Sequence, residues 1–236
     1  MHSLYKLRGI VQHYSWGGSA FIPELIGQEN REQKPFAEYW LGAHPNAPAT
    51  LENEESTSLL QAINDAPDAV LGKQVAQDFG TLPYLFKILD VRQMLSIQVH
   101  PSIESAIKGY KEENEKGIPF TAPHRNYKDE NHKPELMAAL GDFWLLHGFK
   151  DQEGIRRIFE TVPELSFLQS EFDANGYKGL YEKVMTLPQE EVDNILNPLL
   201  QKIVPQYDAG SLPKSSEHFW AARAVKTFCQ DAHYDR

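Results

Sequence analysis

The chain has 236 residues, 41% of them hydrophobic and 11% aromatic, and its formal net charge is -10. This composition is typical of a packed globule of one large or two small domains, and the acidic balance argues against a nucleic-acid partner. No apolar run approaches the roughly 20 residues that span a bilayer, and no signal-peptide stretch is present, so we predict a soluble protein without a membrane partner. The single cysteine, Cys229, cannot form an internal disulfide, which suits a cytoplasmic location.

The first 150 residues are predicted to be mainly β-structure with short helices. Thr57 or Ser58 is a candidate cap for a helix through Ile63, and Pro67 is a candidate first residue of a helix towards Phe79. Three apolar or alternating runs predict strands, at residues 82–91, 95–100 and 143–149.

Beyond Lys150 the apolar residues recur with a helical period. The spacing predicts one packing face, made of Val192, Ile195, Leu196, Leu199, Leu200 and Ile203. Pro198 lies within this stripe and is expected to kink or split the helix. Residues 173–176 are predicted to form a turn, and residues 215–230 a last helix capped by Ser215 or Ser216.

The run at residues 95–100 carries the first group of candidate ligands. In a strand, alternate side chains point to opposite faces, so Ser96, Gln98 and His100 share one face. Pro101 then ends the strand. Two interpretations are open: a half-exposed strand with a polar outer face, or a strand that presents a ligand pair.

A second polar cluster lies at residues 127–135, where His132, Lys133 and Glu135 surround Pro134. By propensity alone, Pro134 followed by Glu135 is equally typical of a helix N-terminus, because proline suits the first helical position and the helix dipole favours an acid there. A solvated charged loop is the other structural interpretation. The functional interpretation is a site in which the imidazole, carboxylate and ammonium groups lie together.

The nine residues Tyr-Lys-Asp-Glu-Asn-His-Lys-Pro-Glu at 127–135 resemble the signature of type I mannose-6-phosphate isomerases. Residues 14–17, 36–45 and 82–101 resemble three further blocks of that family in the same order. The resemblance is continuous from residue 4 to about 149. It implies a cupin-type jelly-roll core, a double-stranded β-helix, within a mixed β and α fold.

The resemblance also implies a domain organisation. Residues 1–150 are expected to be the first part of a cupin-type metal-binding catalytic domain, and residues 151–236 a helical inserted domain like that of the family's longer members. The remaining jelly-roll strands and a C-terminal β-domain are expected to lie outside this chain. A cleaved C-terminal remainder of the same protein is therefore one candidate partner.

Members of the family bind zinc, which implies one Zn²⁺ per chain held by Gln98, His100 and Glu135, with a fourth ligand outside the chain. The donor set suits the metal, because histidine is a good imidazole ligand and glutamate supplies one anionic oxygen. The neutral Gln98 oxygen offsets little of the metal's charge, so the zinc remains a Lewis acid.

The implied activity is the interconversion of mannose 6-phosphate and fructose 6-phosphate through an enediol. Such an isomerisation moves a proton between C1 and C2, which requires a base, a proton donor and support for the developing oxyanion. The resemblance makes Lys133 and His132 the candidates for proton transfer and ring opening, and the sequence does not rank them. A salt bridge or a phosphate contact is the alternative role for Lys133.

Four further residues match family positions near the sugar phosphate, the expected small-molecule partner: Trp16, Glu38, Lys87 and Ser96. Lys87 and Ser96 are candidates to bind the phosphate, as a cation and a hydroxyl donor. By alternation, Lys87 shares a face with apolar neighbours, so a snorkelling lysine is the alternative. Trp16 and Glu38 have structural alternatives too, as a core tryptophan and as the partner of a cation.

The main alternative function is a non-catalytic sugar-phosphate or metal-binding cupin module, which a missing fourth ligand would favour. An iron-dependent cupin oxygenase is disfavoured, because its two-histidine and carboxylate triad differs from a strand that offers glutamine and histidine.

Overall fold

The computed structural model describes residues 4–52, 56–95, 98–143, 145–229 and 233–234. The chain forms two compact units, Met1–Leu95 and Ser96–Arg236. Small antiparallel sheets and helices make up the described residues, which confirms the prediction of a mixed β and α fold.

The first unit is organised around a three-stranded antiparallel sheet in the order β2 (Ile10–Gln12), β3 (Glu38–Leu41) and β5 (Phe86–Leu89). Aromatic and β-branched residues favour these strands, since such side chains pack well on a pleated surface. The register of β3 against β5 places Trp40 opposite Lys87. Two short strands, β1 (Leu7–Arg8) and β4 (Thr50–Leu51), form a second antiparallel pair.

Four short helices complete the first unit: α1 (Phe21–Ile26), α2 (Leu59–Asp65), α3 (Pro67–Leu71) and α4 (Lys73–Phe79). The Ser58 hydroxyl accepts the backbone N–H of Gln61, which confirms the predicted cap. The single helix predicted from Pro67 to Phe79 is wrong. Gly72 has φ 80° and separates α3 from α4, because a positive φ does not fit a right-handed helix.

The predicted strands at 82–91, 95–100 and 143–149 need correction. The first is shortened to β5, and no strand includes the described residues 95, 98–100, 143 and 145–149; residues 96, 97 and 144 lie outside the described part. An extended segment becomes a strand when a neighbour pairs with its backbone N–H and C=O groups. No such neighbour is present among the residues that the structure describes, which explains the difference.

The second unit is helical. It contains α5 (Ile103–Glu115), α6 (Gln152–Thr161), a 3₁₀ helix (Pro163–Leu168), α7 (Gln169–Thr186), α8 (Gln189–Asp208) and α9 (Glu217–Phe228). Ser102 caps α5 by accepting the N–H of Ser105 at 3.2 Å. Asp151 caps α6 by accepting the N–H of Gly154 at 2.7 Å.

The predicted packing stripe lies on α8. Val192, Leu199, Leu200 and Ile203 are buried, which confirms the face that the spacing indicated. Pro198 was expected to kink or split this helix, and the split is wrong because α8 continues through it. Packing of the apolar face compensates for the missing backbone hydrogen bond, since tertiary contacts supply most of a helix's stability.

The turn predicted at residues 173–176 is found as an interruption inside α7. Gly176 has φ 60° and ψ -153°, which are not helical angles, so the glycine breaks the regular geometry of the helix. On either side, Phe172 and Leu180 are buried in one apolar cluster with Phe159 and Leu168. None of the helices in the described part of the chain has the length and apolar character needed to cross a bilayer.

Candidate metal centre

The structure brings His100, Lys133 and Glu135 together in the second unit. His100 Nε2 lies 3.4 Å from Glu135 Oε2, and Lys133 Nζ lies 3.6 Å from Glu135 Oε1. The side chains are 39% to 46% exposed, so ligands and water can reach them. The segment that carries Lys133 and Glu135 forms no helix, which excludes the interpretation of Pro134 as a helix start.

A backbone contact orients the His100 ring. Its Nδ1 forms a hydrogen bond with the carbonyl oxygen of Lys133. A carbonyl accepts only, so Nδ1 carries a proton and donates it, and this bond turns Nε2 towards Glu135. A metal-ligating histidine has this arrangement, in which the second ring nitrogen donates to a carbonyl and fixes the tautomer.

The spacing between the two donors fits a zinc ion. Zinc bound tetrahedrally at about 2.0–2.2 Å from nitrogen and oxygen separates these two ligand atoms by about 3.4 Å. The Nε2 to Oε2 distance has this value, 3.4 Å. No cluster of three or more His, Cys, Asp or Glu side chains suited to a metal occurs among the described residues, so a further ligand would be of another type or come from elsewhere.

Gln98 is the third predicted ligand. It lies two residues before His100 and is exposed, and it has no hydrogen-bond partner among the described residues. Its amide oxygen is thus available as a ligand, and no hydrogen bond joins it to His100 or Glu135 in the described part of the chain.

His132 is exposed, and no hydrogen bond or ion pair joins it to these three side chains among the described residues. Its charge acts on Glu104, at the first turn of α5. The pKa of Glu104 is lowered, chiefly by the hydroxyl of Ser102, then by a backbone N–H, and to a smaller extent by His132.

The first unit contains a separate polar cluster, formed by Glu38, Trp40 and Lys87. Lys87 Nζ lies 3.3 Å from Glu38 Oε2 and 4.8 Å from the centre of the Trp40 ring. The Trp40 indole N–H donates to Glu38 Oε2 at 2.5 Å. Glu38 is buried and the Lys87 side chain is 24% exposed, so a cation and an anion meet where water has limited access.

Trp16 is half-buried and is held by its backbone. Its carbonyl oxygen accepts the N–H groups of Arg92 and Gln93, at 3.0 and 3.1 Å. Its ring stacks on Tyr14 with centroids 5.7 Å apart. Burial, and to a smaller extent the negative charge of Glu38, raise the pKa of Tyr14. The phenol therefore stays protonated well above neutral pH and is a hydrogen-bond donor.

Sequence reasoning missed Trp40 and Tyr14. Trp40 is two residues from Glu38 on the same strand, so strand alternation alone would have placed the two side chains on one face. No sequence signal linked Tyr14 to Glu38. Ser96, the other predicted phosphate ligand, lies outside the described residues.

Comparisons with known proteins identify the family of this chain. The family model for the phosphomannose isomerase type I catalytic domain matches residues 4–152. The mannose-6-phosphate isomerase of Salmonella typhimurium is 45% identical in an alignment 199 positions long, which covers 82% of this chain and 51% of that protein. The human mannose-6-phosphate isomerase is 33% identical in an alignment 234 positions long, which covers 88% of this chain and 53% of that protein.

The structural comparison gives the same result. The crystal structure of the Salmonella typhimurium mannose 6-phosphate isomerase bound to substrate and to a zinc atom superimposes with a TM-score of 0.80 and 34% identity. That match covers 94% of this chain and 56% of the other. The chain belongs to the type I phosphomannose isomerase family. It spans about half the length of the relatives it matches.

Proposed function

We propose that this chain supplies the metal-binding residues and part of the substrate site of a zinc-dependent aldose–ketose isomerase. The reaction is the interconversion of mannose 6-phosphate and fructose 6-phosphate through an enediol. The observation that carries the proposal is the approach of His100 Nε2 to Glu135 Oε2, at 3.4 Å, inside the segment matched by the family model.

One zinc ion per chain would be held by Gln98, His100 and Glu135. When bound, it supplies a Lewis acid that supports negative charge on the sugar oxygens. The carbonyl of Lys133 fixes the tautomer of His100, so Nε2 is the ligating atom. A fourth ligand from polypeptide beyond this chain would complete the site.

Proton transfer is assigned to Lys133 and His132. Lys133 is favoured for proton transfer because its Nζ lies 3.6 Å from the carboxylate of the proposed ligand Glu135, and therefore beside the proposed metal. His132, which is exposed, is the second candidate for proton transfer or for opening the sugar ring.

Substrate binding is assigned to Lys87 and Ser96 for the phosphate and to Trp16 and Glu38 for the sugar. An ammonium group has three donors, so Lys87 can bind a phosphate oxygen while it stays beside Glu38. The indole of Trp40 holds the Glu38 carboxylate in place.

The cupin-type core of residues 1–150, the helical insert of residues 151–236 and a cytoplasmic location belong to the same proposal. Large apolar side chains around the metal ligands support a core completed by further polypeptide, because Val99, Leu136 and Leu140 are 75%, 101% and 82% exposed. Apolar surface of this kind is usually covered in the whole protein. The covering segment could be continuous with this chain or a cleaved remainder, and intact mass with a denaturing gel distinguishes the two.

The test combines metal content with activity in the intact protein. We expect one zinc per chain and interconversion of the two sugar phosphates in the wild type. His100→Ala and Glu135→Ala should lose both, whereas His147→Ala, an exposed histidine outside the site, should keep both.

A folded wild-type protein that binds no zinc and interconverts nothing would overturn the proposal. Zinc binding and sugar-phosphate binding without turnover would instead support the non-catalytic module. Where the wild type does turn over, Lys133→Met tests the assigned proton transfer, since it should abolish turnover while zinc stays bound.

A further inference from the structure

We propose that Glu113 and Arg125 are positioning residues that fix the start of the metal-binding loop, residues 127–135. The inference rests on the proposed function, because it concerns how Glu135 and Lys133 are presented to the metal and the sugar. Neither residue belongs to the ligand or substrate sets assigned above.

Glu113 lies in the last turn of α5, and its side chain is 11% exposed. Its Oε2 accepts the backbone N–H of Tyr127 at 2.8 Å, and its Oε1 accepts the backbone N–H of Asn126 at 3.1 Å. One carboxylate therefore binds two consecutive N–H groups of the incoming loop. These bonds, the one from Tyr127 first, lower the pKa of Glu113, so the carboxylate is charged at neutral pH.

Arg125 holds the other side of the same peptide. Its Nε donates to the carbonyl oxygen of Tyr127 at 2.8 Å, so Tyr127 has both its N–H and its C=O bound by buried side chains. The remaining guanidinium nitrogens donate to the Ile118 carbonyl at 2.6 Å and to Asn114 Oδ1 at 2.7 Å. The Arg125 side chain is 1% exposed, and α5 and the loop are thus connected through one rigid group.

Gly109 provides an independent observation. A Cβ atom at this position would lie 2.3 Å from the ring of Tyr127, so the ring packs directly on the backbone of α5. Glycine inside a helix costs about 1 kcal/mol relative to alanine. The close approach of the Tyr127 ring explains why this helix has glycine there.

These contacts matter because residues 127–135 have no helix or strand of their own to place them. A ligand on such a loop depends on supporting contacts for its position, and a displacement of about 1 Å at a reacting group strongly reduces catalysis. Burying two charged side chains is unfavourable unless each is fully bonded, and here their hydrogen bonds converge on Tyr127, at the start of the loop.

The experiment uses Glu113→Gln, Arg125→Met and Gly109→Ala in the intact protein, with Arg156→Met as the matched control. Arg156 pairs with Asp173 at 3.1 Å on α6 and α7, far along the chain from the loop. Zinc affinity is measured by chelator competition, and amide hydrogen exchange of residues 127–135 is measured in the metal-free protein. We expect each of the three loop variants to bind zinc at least about tenfold more weakly and to exchange faster in the loop, with kcat reduced more than KM.

The control should match the wild type in all these measurements. Folded variants with wild-type zinc affinity and wild-type loop exchange would overturn the inference. If the charge variants fail to fold, Gly109→Ala decides, because it keeps both charges and changes only the contact with Tyr127. A wild type that binds zinc but does not isomerise the sugar phosphates would refute the proposed function and leave this inference standing. If no zinc binds, the amide hydrogen exchange of residues 127–135 still decides whether Glu113 and Arg125 fix the loop.

Discussion

The pairing of Lys87 with Glu38 can be tested by a double-mutant cycle of Lys87→Met and Glu38→Gln. The Glu38 side chain is 12% exposed and has two partners, the Lys87 ammonium at 3.3 Å and the Trp40 indole N–H at 2.5 Å. Lys87→Met leaves the carboxylate with the indole as its remaining donor. Glu38→Gln keeps an acceptor for the indole and removes the negative charge.

The expected losses in the free energy of unfolding follow from the burial of the two side chains. Breaking a fully buried pair costs about 3–5 kcal/mol, and because Lys87 is 24% exposed we expect about 2 kcal/mol for Lys87→Met. Glu38→Gln should cost about 1 kcal/mol, since Lys87 can turn to water. The double variant leaves no buried carboxylate without its cation and should lose about 2 kcal/mol of the free energy of unfolding. This is about 1 kcal/mol less than the sum of the two single losses, so the coupling energy is about 1 kcal/mol.

Urea unfolding followed by tryptophan fluorescence measures the cycle, provided that the four proteins share one m-value. Lys108 and Glu112 form the control pair, which is 3.8 Å apart and 78% and 49% exposed on α5. Its coupling should be below about 0.5 kcal/mol. A Lys87–Glu38 coupling no larger than that of the control would refute the argument that burial strengthens this pair.

Two further predictions concern the helical unit. Asp193 accepts the N–H of Tyr234, and this bond, followed by the one from His233, lowers the pKa of Asp193. The charged carboxylate therefore stabilises the folded protein above the unfolded-state pKa of about 3.9. This stabilisation is lost as the pH falls through the lower folded-state pKa. The difference in urea midpoint between wild type and Asp193→Asn should thus shrink from pH 6 to pH values below about 3, and a constant difference would contradict this assignment. Ile203 is 2% exposed in the core, so Ile203→Ala should lower the free energy of unfolding by about 3 kcal/mol in the same assay, and a loss under about 1 kcal/mol would show that the site is loosely packed.

The helical unit was the part of the fold most predictable from sequence. The stripe on α8 follows directly from the period of an α-helix, because the residues that recur at that period are the buried ones. The break at Gly176 was also visible as a turn signal. Pro198 misled the prediction, since propensity describes an isolated helix and packing of the apolar face decided the outcome.

Strands were less predictable because their partners are distant in sequence. Alternation marks a segment that is able to pair, as at residues 95–100, but says nothing about whether a neighbour is present. Residues 86–89 form a strand because residues 38–41 lie beside them, with Trp40 opposite Lys87. That register also brings Lys87 to Glu38 and Trp40, and no pattern within either strand alone shows this approach.

The local sequence was also a poor guide to the structure of the candidate site. Propensity gave Pro134 and Glu135 the signature of a helix start, and the family resemblance alone assigned Glu135 to the metal. The structure shows what holds this segment in place of a helix: Glu113 on α5 binds the N–H groups at the start of the loop, and the Lys133 carbonyl binds His100. A proline that would begin an isolated helix instead stiffens a loop held at both ends, and this lets an acid 35 residues from His100 lie 3.4 Å from its ring.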